Sequence, residues 1–260
     1  MPSTEQPVRY YRYKTDSGWS CIDARVITEA TIMLTVNGVE WLSFTCTPSD
    51  LEALAVGFLF NEGIIQTRDE IAAVDVCKQG TNIDVWLRHP AAQPRQWRRT
   101  SGCTGGLTAT EDIARPVAAD GGAGSLPKIS PQILLDCMEQ LLEVQNLYRE
   151  VRGVHCSGLS DGQVIRVKAE DIGRHNTLDK LAGLVLLNDI KIQRPIVVTT
   201  GRVSSEMLQK SAQLGAVAVV SRTSPTSLSV SEANRLGITL VGYARRNQFL
   251  CYTHPERLEI

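Results

Sequence analysis

Apolar and polar positions alternate with a period of two early in the chain. Ile32, Leu34 and Val36 lead up to Asn37-Gly38, and Val39, Trp41 and Phe44 lie beyond it. Two such segments joined by Asn-Gly predict a β-hairpin with a type I′ turn, because both turn residues must take positive φ. The period then lengthens. Leu51, Leu54, Ala55, Phe58 and Leu59 recur at helical spacing, predicting a helix with Thr47 as N-cap, Pro48 at its first position, Asp50 in its first turn and Gly63 as its stop. Ile71–Val76 and Ile83–Leu87 read as further strands. Periodicity disappears over Ala118-Ala119-Asp120-Gly121-Gly122-Ala123-Gly124-Ser125, a small-residue stretch that predicts a linker. After it, Ser130-Pro131 opens a helix whose stripe is Ile133, Leu134, Cys137, Met138, Leu141 and Leu142.

Beyond that helix, strand and helix patterns alternate. Val154–Cys156 and Val164–Val167 predict a hairpin, and Asn176–Leu187 an amphipathic helix. Ile196–Thr199 is a strand of buried type, followed by a helix that Ser204 and Ser205 cap and Gly215 ends. Val217–Val220, Ser227–Leu236 and Ile238–Val241 continue as strand, helix and strand. A β-α-β-α-β rhythm implies a largely parallel sheet covered by helices. The expected fold class is α/β plus α+β: a smaller N-terminal α+β domain over 1–117, a linker over 118–128, and a C-terminal α/β domain over 129–260.

A formal net charge of −1 argues against a general nucleic-acid or membrane-surface protein, since both need broad positive fields. No apolar run approaches the roughly 18 residues that span a bilayer. The start, Met1-Pro2-Ser3-Thr4-Glu5, lacks the basic-then-apolar pattern of a signal peptide. Seven scattered cysteines, an odd number, fit a reducing cytoplasm better than a disulfide framework. Cys46, Cys77, Cys137 and Cys251 lie inside apolar patterns and are expected to be buried small hydrophobes.

Cys103 is different. Arg98-Arg99-Thr100-Ser101-Gly102-Cys103-Thr104-Gly105-Gly106 places it in a pliant glycine loop with arginines just upstream. Positive charge favours the thiolate, which is the reactive form, so Cys103 is the candidate nucleophile. Ligand-binding candidates follow from the expected sheet, because open α/β sheets bind ligands beyond the carboxyl ends of their strands. Those ends supply Arg202, Ser204 and Ser205, then Arg222 and Ser224, then Tyr243, Arg245 and Arg246. Guanidinium groups beside hydroxyl-rich helix starts suit phosphate or pyrophosphate. Asp171-Ile172-Gly173-Arg174-His175-Asn176 concentrates ionisable groups where a turn enters a helix; Asn176 or Thr177 would cap it. There Asp171 is expected to orient His175 or pair with Arg174, and His175 to move protons or hold an anion. No Walker loop or G-x-G-x-x-G occurs. His254-Pro255-Glu256 matches half of the zinc-deaminase signature, but no C-x-x-C exists, so no metal site is expected.

These segments together resemble the FdhD family of formate dehydrogenase accessory sulfurtransferases. The resemblance runs from Val36-Asn37-Gly38 and Thr47-Pro48-Ser49-Asp50, through Leu54–Leu59 and Glu62–Ile65, to the Cys103 loop and Asp171–Asn176. It continues over Gly201–Met207, Ser221–Ser227, Gly242–Arg245 and Tyr252–Arg257. It implies a cytoplasmic homodimer whose C-terminal domain has a cytidine-deaminase-like fold without the deaminase zinc. It further implies that sulfur passes as a persulfide from a cysteine desulfurase to the molybdenum cofactor, bis-molybdopterin guanine dinucleotide, for formate dehydrogenase, with no tightly bound cofactor of the chain's own. Cys103 matches the family's sulfur-carrying cysteine, and the cofactor-binding stretch maps onto Tyr243, Ala244, Arg245, Arg246, Asn247 and Gln248. Some family members carry C-x-x-C in the loop; here the second position is Gly106, so Cys103 would carry the persulfide alone. A non-catalytic cofactor chaperone is the alternative, and a nucleotide hydrolase or deaminase a third reading.

Overall fold

The structure, a computed structural model, describes residues 3–94 and 127–259, together with the backbone of 97–99 and 107–109. Strands β1 (Glu5–Lys14) and β2 (Gly18–Ile27) pair antiparallel as a ribbon that joins neither larger sheet. Next come β3 (Ala30–Val36), β4 (Val39–Cys46), helix α1 (Leu51–Asn61), β5 (Ile71–Val76) and β6 (Asn82–Leu87). They form a four-stranded sheet of order β4-β3-β6-β5, in which β3 and β6 are parallel. Asn37 and Gly38 both have positive φ between β3 and β4, as the Asn-Gly signal requires. Ile32, Leu34, Ile83 and Val85 point to one face and pack against Leu54, Phe58 and Leu59 of α1.

Short strands β7 (Trp97–Arg99) and β8 (Leu107–Ala109) pair antiparallel. The rest comprises α2 (Pro131–Val144), α3 (Leu147–Glu150), β9 (His155–Ser160), β10 (Ile165–Asp171), α4 (Arg174–Leu187), β11 (Ile196–Thr199), α5 (Ser205–Gln213), β12 (Ala218–Ser221), α6 (Ser227–Leu236), β13 (Thr239–Arg245) and β14 (Gln248–Cys251). Its sheet has order β10-β9-β11-β12-β13-β14, with β11, β12 and β13 parallel and the flanks antiparallel. Alternation along the strands splits the core. Val197, Val219 and Leu240 face Leu178, Leu181, Met207, Leu208 and Leu236, whereas Val198, Val220 and Val241 face Leu134, Met138 and Leu141 of α2. The expected mixed α/β architecture is present. The expected linker 118–128 falls, apart from residues 127 and 128, outside the described residues.

The two sheets are joined back to back through α1 and α4. These helices cross at two glycines: a Cβ on Gly57 would lie 1.7 Å from the Asp179 carbonyl oxygen, and one on Gly183 would lie 1.9 Å from that of Ala53. Only hydrogen fits at either position. The sandwiched helix is buried over Arg174–Gly183, so the amphipathic pattern expected there is absent. Its polar residues are consumed by the joint. Lys180, fully buried, pairs with Asp171 at 2.7 Å and donates to the Thr47 carbonyl at 3.0 Å. Asp179 accepts from Lys210 and from Asn61.

This joint also corrects the expected cap of α1. Thr47 spends its hydroxyl on the Ile172 N–H and its own N–H on Asp171, and Asp50, in left-handed conformation, is the N-cap. Bonds between residues so far apart along the chain cannot be read from local capping rules.

Candidate functional site

The parallel strands β11, β12 and β13 end side by side, and backbone hydrogen bonds lace their loops into one surface. Arg222 N–H donates to Thr199 O, Val203 N–H to Ser224 O, Thr226 N–H to Val203 O, and Tyr243 N–H to Thr223 O, at 2.9–3.2 Å. Ser221 Oγ adds a bond to Gly201 O at 2.8 Å. Gly242 fits between Pro225, Thr223 and Tyr252, each 3.0 Å from where a Cβ would stand. The structure therefore brings together all the strand ends that the sequence singled out. Arg202, Arg222, Arg245 and Arg246 are exposed on this surface. Their guanidinium groups present donors suited to phosphate oxygens.

The hydroxyls divide differently from the expectation. Ser204 is the N-cap of α5, accepting from Met207 N–H, and is buried; Ser205 is the first helical residue and half-buried. Thr226 caps α6 in a capping box with Ser229. Capping explains Ser204 and Thr226 without a ligand.

The stretch Tyr243–Gln248 forms the tip of the β13–β14 hairpin, with Arg245 paired to Gln248 and positive φ at Tyr243 and Arg246. Tyr243, Arg245, Gln248, Phe249 and Leu250 line a cleft of about 390 Å³. Arg246 and Asn247 are exposed at its turn, whereas Ala244 is buried in the core beneath it, which leaves only its backbone for a ligand. An aromatic ring, apolar side chains and a guanidinium in one cleft fit a planar base attached to phosphate.

The Asp171–Asn176 corner is first of all structural. Asp171 accepts from Lys180 and from the N–H groups of Thr47 and Gly173 and the amide of Asn176, and it does not orient His175, whose Nε2 faces Ser204 instead. Gly173 is the N-cap of α4, in place of Asn176 or Thr177. Asn176 ties the corner to Thr45 O.

His175 Nε2 lies 3.2 Å from Ser204 Oγ, while its Nδ1 is buried without a partner. Burial, then Lys210, Arg174 and His155, hold His175 well below the usual imidazole range. His155 was missed by sequence reasoning. Because β9 runs antiparallel to β11, with Ser157 opposite Thr199, the start of β9 lies at the carboxyl edge of β11. Only strand pairing, invisible in the chain, carries that signal.

An imidazole kept neutral in the fold favours unfolding once the unfolded chain binds protons. Stability is therefore expected to fall as pH drops below about 6.5, the ordinary imidazole value. His175→Gln should flatten this slope between about pH 6.5 and 5, read by denaturant titration.

Cys103 lies outside the described residues, in the segment joining β7 to β8. Among the described cysteines, burial followed by Asp171 pushes the Cys46 thiol up to about 12, and burial followed by Glu170 does the same for Cys156. Cys77 departs from the expected buried hydrophobe: it is half-buried, and its sulfur receives N–H bonds from Thr81 (3.2 Å) and Asn82 (3.3 Å). The Thr81 hydroxyl and then its N–H lead in lowering its pKa. Brief iodoacetamide treatment near pH 7 should label Cys77 in native protein and spare Cys46 and Cys156, read by peptide mass spectrometry; labelling of Cys46 before Cys77 would contradict this ordering.

No described helix is long and apolar enough to cross a membrane. A sequence model of the FdhD/NarQ family matches residues 27–259. "Sulfur carrier protein FdhD" of Bacillus subtilis strain 168 is 35% identical over 241 residues, 92% of each chain. The protein of the same name from Staphylococcus aureus strain MRSA252 is 34% identical over 261 residues, 98% of this chain and 96% of its own. A crystal structure from Desulfotalea psychrophila, assigned as a formate dehydrogenase accessory protein, has 28% identity and a TM-score of 0.75, covering 99% of this chain and all of its own.

Proposed function

This chain belongs to the FdhD/NarQ family, and from that premise we propose that it is a cytoplasmic, homodimeric sulfurtransferase serving formate dehydrogenase. Cys103 thiolate attacks the outer sulfur of a cysteine desulfurase persulfide. The donor's S–S bond breaks, its cysteine leaves as thiolate, and Cys103 holds the sulfur as Cys103–S–SH. The acceptor is the molybdenum cofactor, bis-molybdopterin guanine dinucleotide, taken as substrate. When the acceptor takes the outer sulfur, the S–S electron pair returns to Cys103, which leaves as thiolate. A thiol of low pKa helps both as attacking anion and as leaving group.

The single observation that supports this reading best is the match, over more than nine-tenths of the chain, to relatives named as sulfur carrier proteins. The donor set of the strand ends fits the proposed acceptor. Tyr243, Arg245 and Gln248 line a cleft suited to a guanine nucleotide; Arg222 stands on the loop bonded to Tyr243 at its rim, and Arg202 on the next loop, bonded in turn to that of Arg222. Arg246, Asn247 and the backbone of Ala244 close the hairpin tip. In this role the residues bind and orient; the sulfur chemistry belongs to Cys103 and the substrate.

Incubation with a cysteine desulfurase and cysteine tests the proposal. Intact-mass measurement should show one added sulfur per chain, removed by reductant and missing from Cys103→Ala. An equal sulfur adduct on that variant would refute the assignment.

A further inference from the structure

The β1–β2 ribbon has no core of its own. Ten residue pairs hold it together, yet no residue of either strand is buried. A two-stranded ribbon is marginal in water unless something packs on it. Its base is pinned to this chain. Thr28, just after β2, is buried and donates its N–H to Thr4 O at 2.8 Å, and a Cβ on Gly153 would lie 3.3 Å from Ile27 Cγ2.

Register sorts the ribbon's residues onto two faces, because residues directly opposite share one. On the first, Arg9 pairs with Asp23 and Arg25 with Glu5, and the Tyr13 and Trp19 rings meet at 5.2 Å. Its charges are met within the ribbon. The second face carries Val8, Tyr10, Ile22, Ala24 and Val26, with Arg12 and Lys14 towards the tip. Arg12 stands opposite Ser20 and Lys14 opposite Gly18, so no acid faces either across the ribbon.

A complementary surface lies on the N-terminal sheet, on the side away from α1. Glu40, Thr35, Asp84 and Asp75 stand in one row across β4, β3, β6 and β5. Asp75 and Asp84 are directly opposite, and like charges so placed repel. None of the four strands contains lysine or arginine. Glu40 and Asp75 are exposed, and Trp86, at 49% exposure, flanks the row opposite Ala73.

We propose that the apolar, cationic face of the ribbon docks on this acidic sheet face of a second copy, each chain lending its ribbon to the other. Arg12 and Lys14 then meet the carboxylates, and the apolar residues leave water against Trp86. Ten-residue strands give a ribbon face of roughly 33 by 10 Å, so one contact buries about 650 Å² over both sides. A specific interface needs about 1,200 Å², which two reciprocal contacts under a two-fold axis reach. The inference rests on the homodimer of the proposed function and names its surface.

Sedimentation of the intact protein tests it through a charge swap at exposed positions. The wild type should be a dimer that loosens as salt rises. Arg12→Glu/Lys14→Glu and Glu40→Lys/Asp75→Lys should each raise the dissociation constant at least about a hundredfold, since like charges then face each other in both contacts. Mixing the two variants should restore a dimer containing one chain of each, which also shows that both are folded. A monomeric wild type, or a dimer unmoved by either double substitution, overturns the proposal. The latter result keeps the homodimer and moves only its surface. The persulfide on Cys103 is measured by mass, independently of either outcome.

Discussion

Gly57→Val is expected to remove most of the protein's stability. The valine Cβ would stand where the Asp179 carbonyl now leaves 1.7 Å, and Asp179 C would be 2.7 Å away. These are backbone atoms of α4, so no side-chain rotation relieves the clash, and α1 must move away from α4. Overpacking in ordinary cores costs about 1–3 kcal/mol and more where the backbone must shift. Separation also strains the buried bonds that depend on this helix spacing, among them Asn61 to Asp179 and Lys180 to the Thr47 carbonyl. A charge left in the interior without its partner adds about 3–5 kcal/mol. Against a total stability of about 5–15 kcal/mol, the variant should melt at least about 10 °C below the wild type or be recovered insoluble. Circular dichroism melting checks this. An unchanged melting temperature would mean that the helices do not cross at Gly57.

Cys103→Ala is expected to abolish the protein's contribution to formate dehydrogenase activity in cells, down to the level of cells lacking the chain. Removing the sulfur atom removes the covalent intermediate, so no residual transfer through this residue is possible. With Gly106 in the position where some relatives have a second cysteine, no other thiol in the loop can substitute. Cys77→Ala is the matched control and should retain activity, since its thiol sits at the β5–β6 turn of the N-terminal sheet. The assay is formate-dependent dye reduction in extracts, alongside a melting curve for each variant. Retention of activity by folded Cys103→Ala would favour the alternative of a non-catalytic cofactor chaperone.

Local signals in the sequence held where the physics is local. Asn37-Gly38 adopts positive φ at both positions, and α6 spans the expected Ser227–Leu236. The three parallel strands followed from short apolar runs separated by helices, and with them came the arginine-bearing loops at one sheet edge. Signals failed where a partner far along the chain competes. Thr47 carries every mark of a helix cap, yet bonds to Asp171 and Ile172, more than 120 residues away. Asp171 seemed poised to orient His175 but is claimed by Lys180. His155 gains its place only through antiparallel pairing of β9 with β11. The β1–β2 ribbon was not anticipated: its aromatic residues are exposed, so it lacks the half-buried alternation that marks a strand in a sheet. Cys77 shows the same limit at small scale, since N–H groups of its own turn hold its sulfur at the surface.

The central claim is that Cys103 alone carries the sulfur. Its most direct test is to isolate the protein from cells, block free thiols with an alkylating reagent at once, and digest it for mass spectrometry. The peptide containing Cys103 should carry one extra sulfur under the alkyl group, released by reductant, while those of Cys46, Cys77 and Cys156 should not. A Cys103 peptide found only as the simple alkylated thiol, with the extra sulfur on another cysteine or on none, would contradict the account.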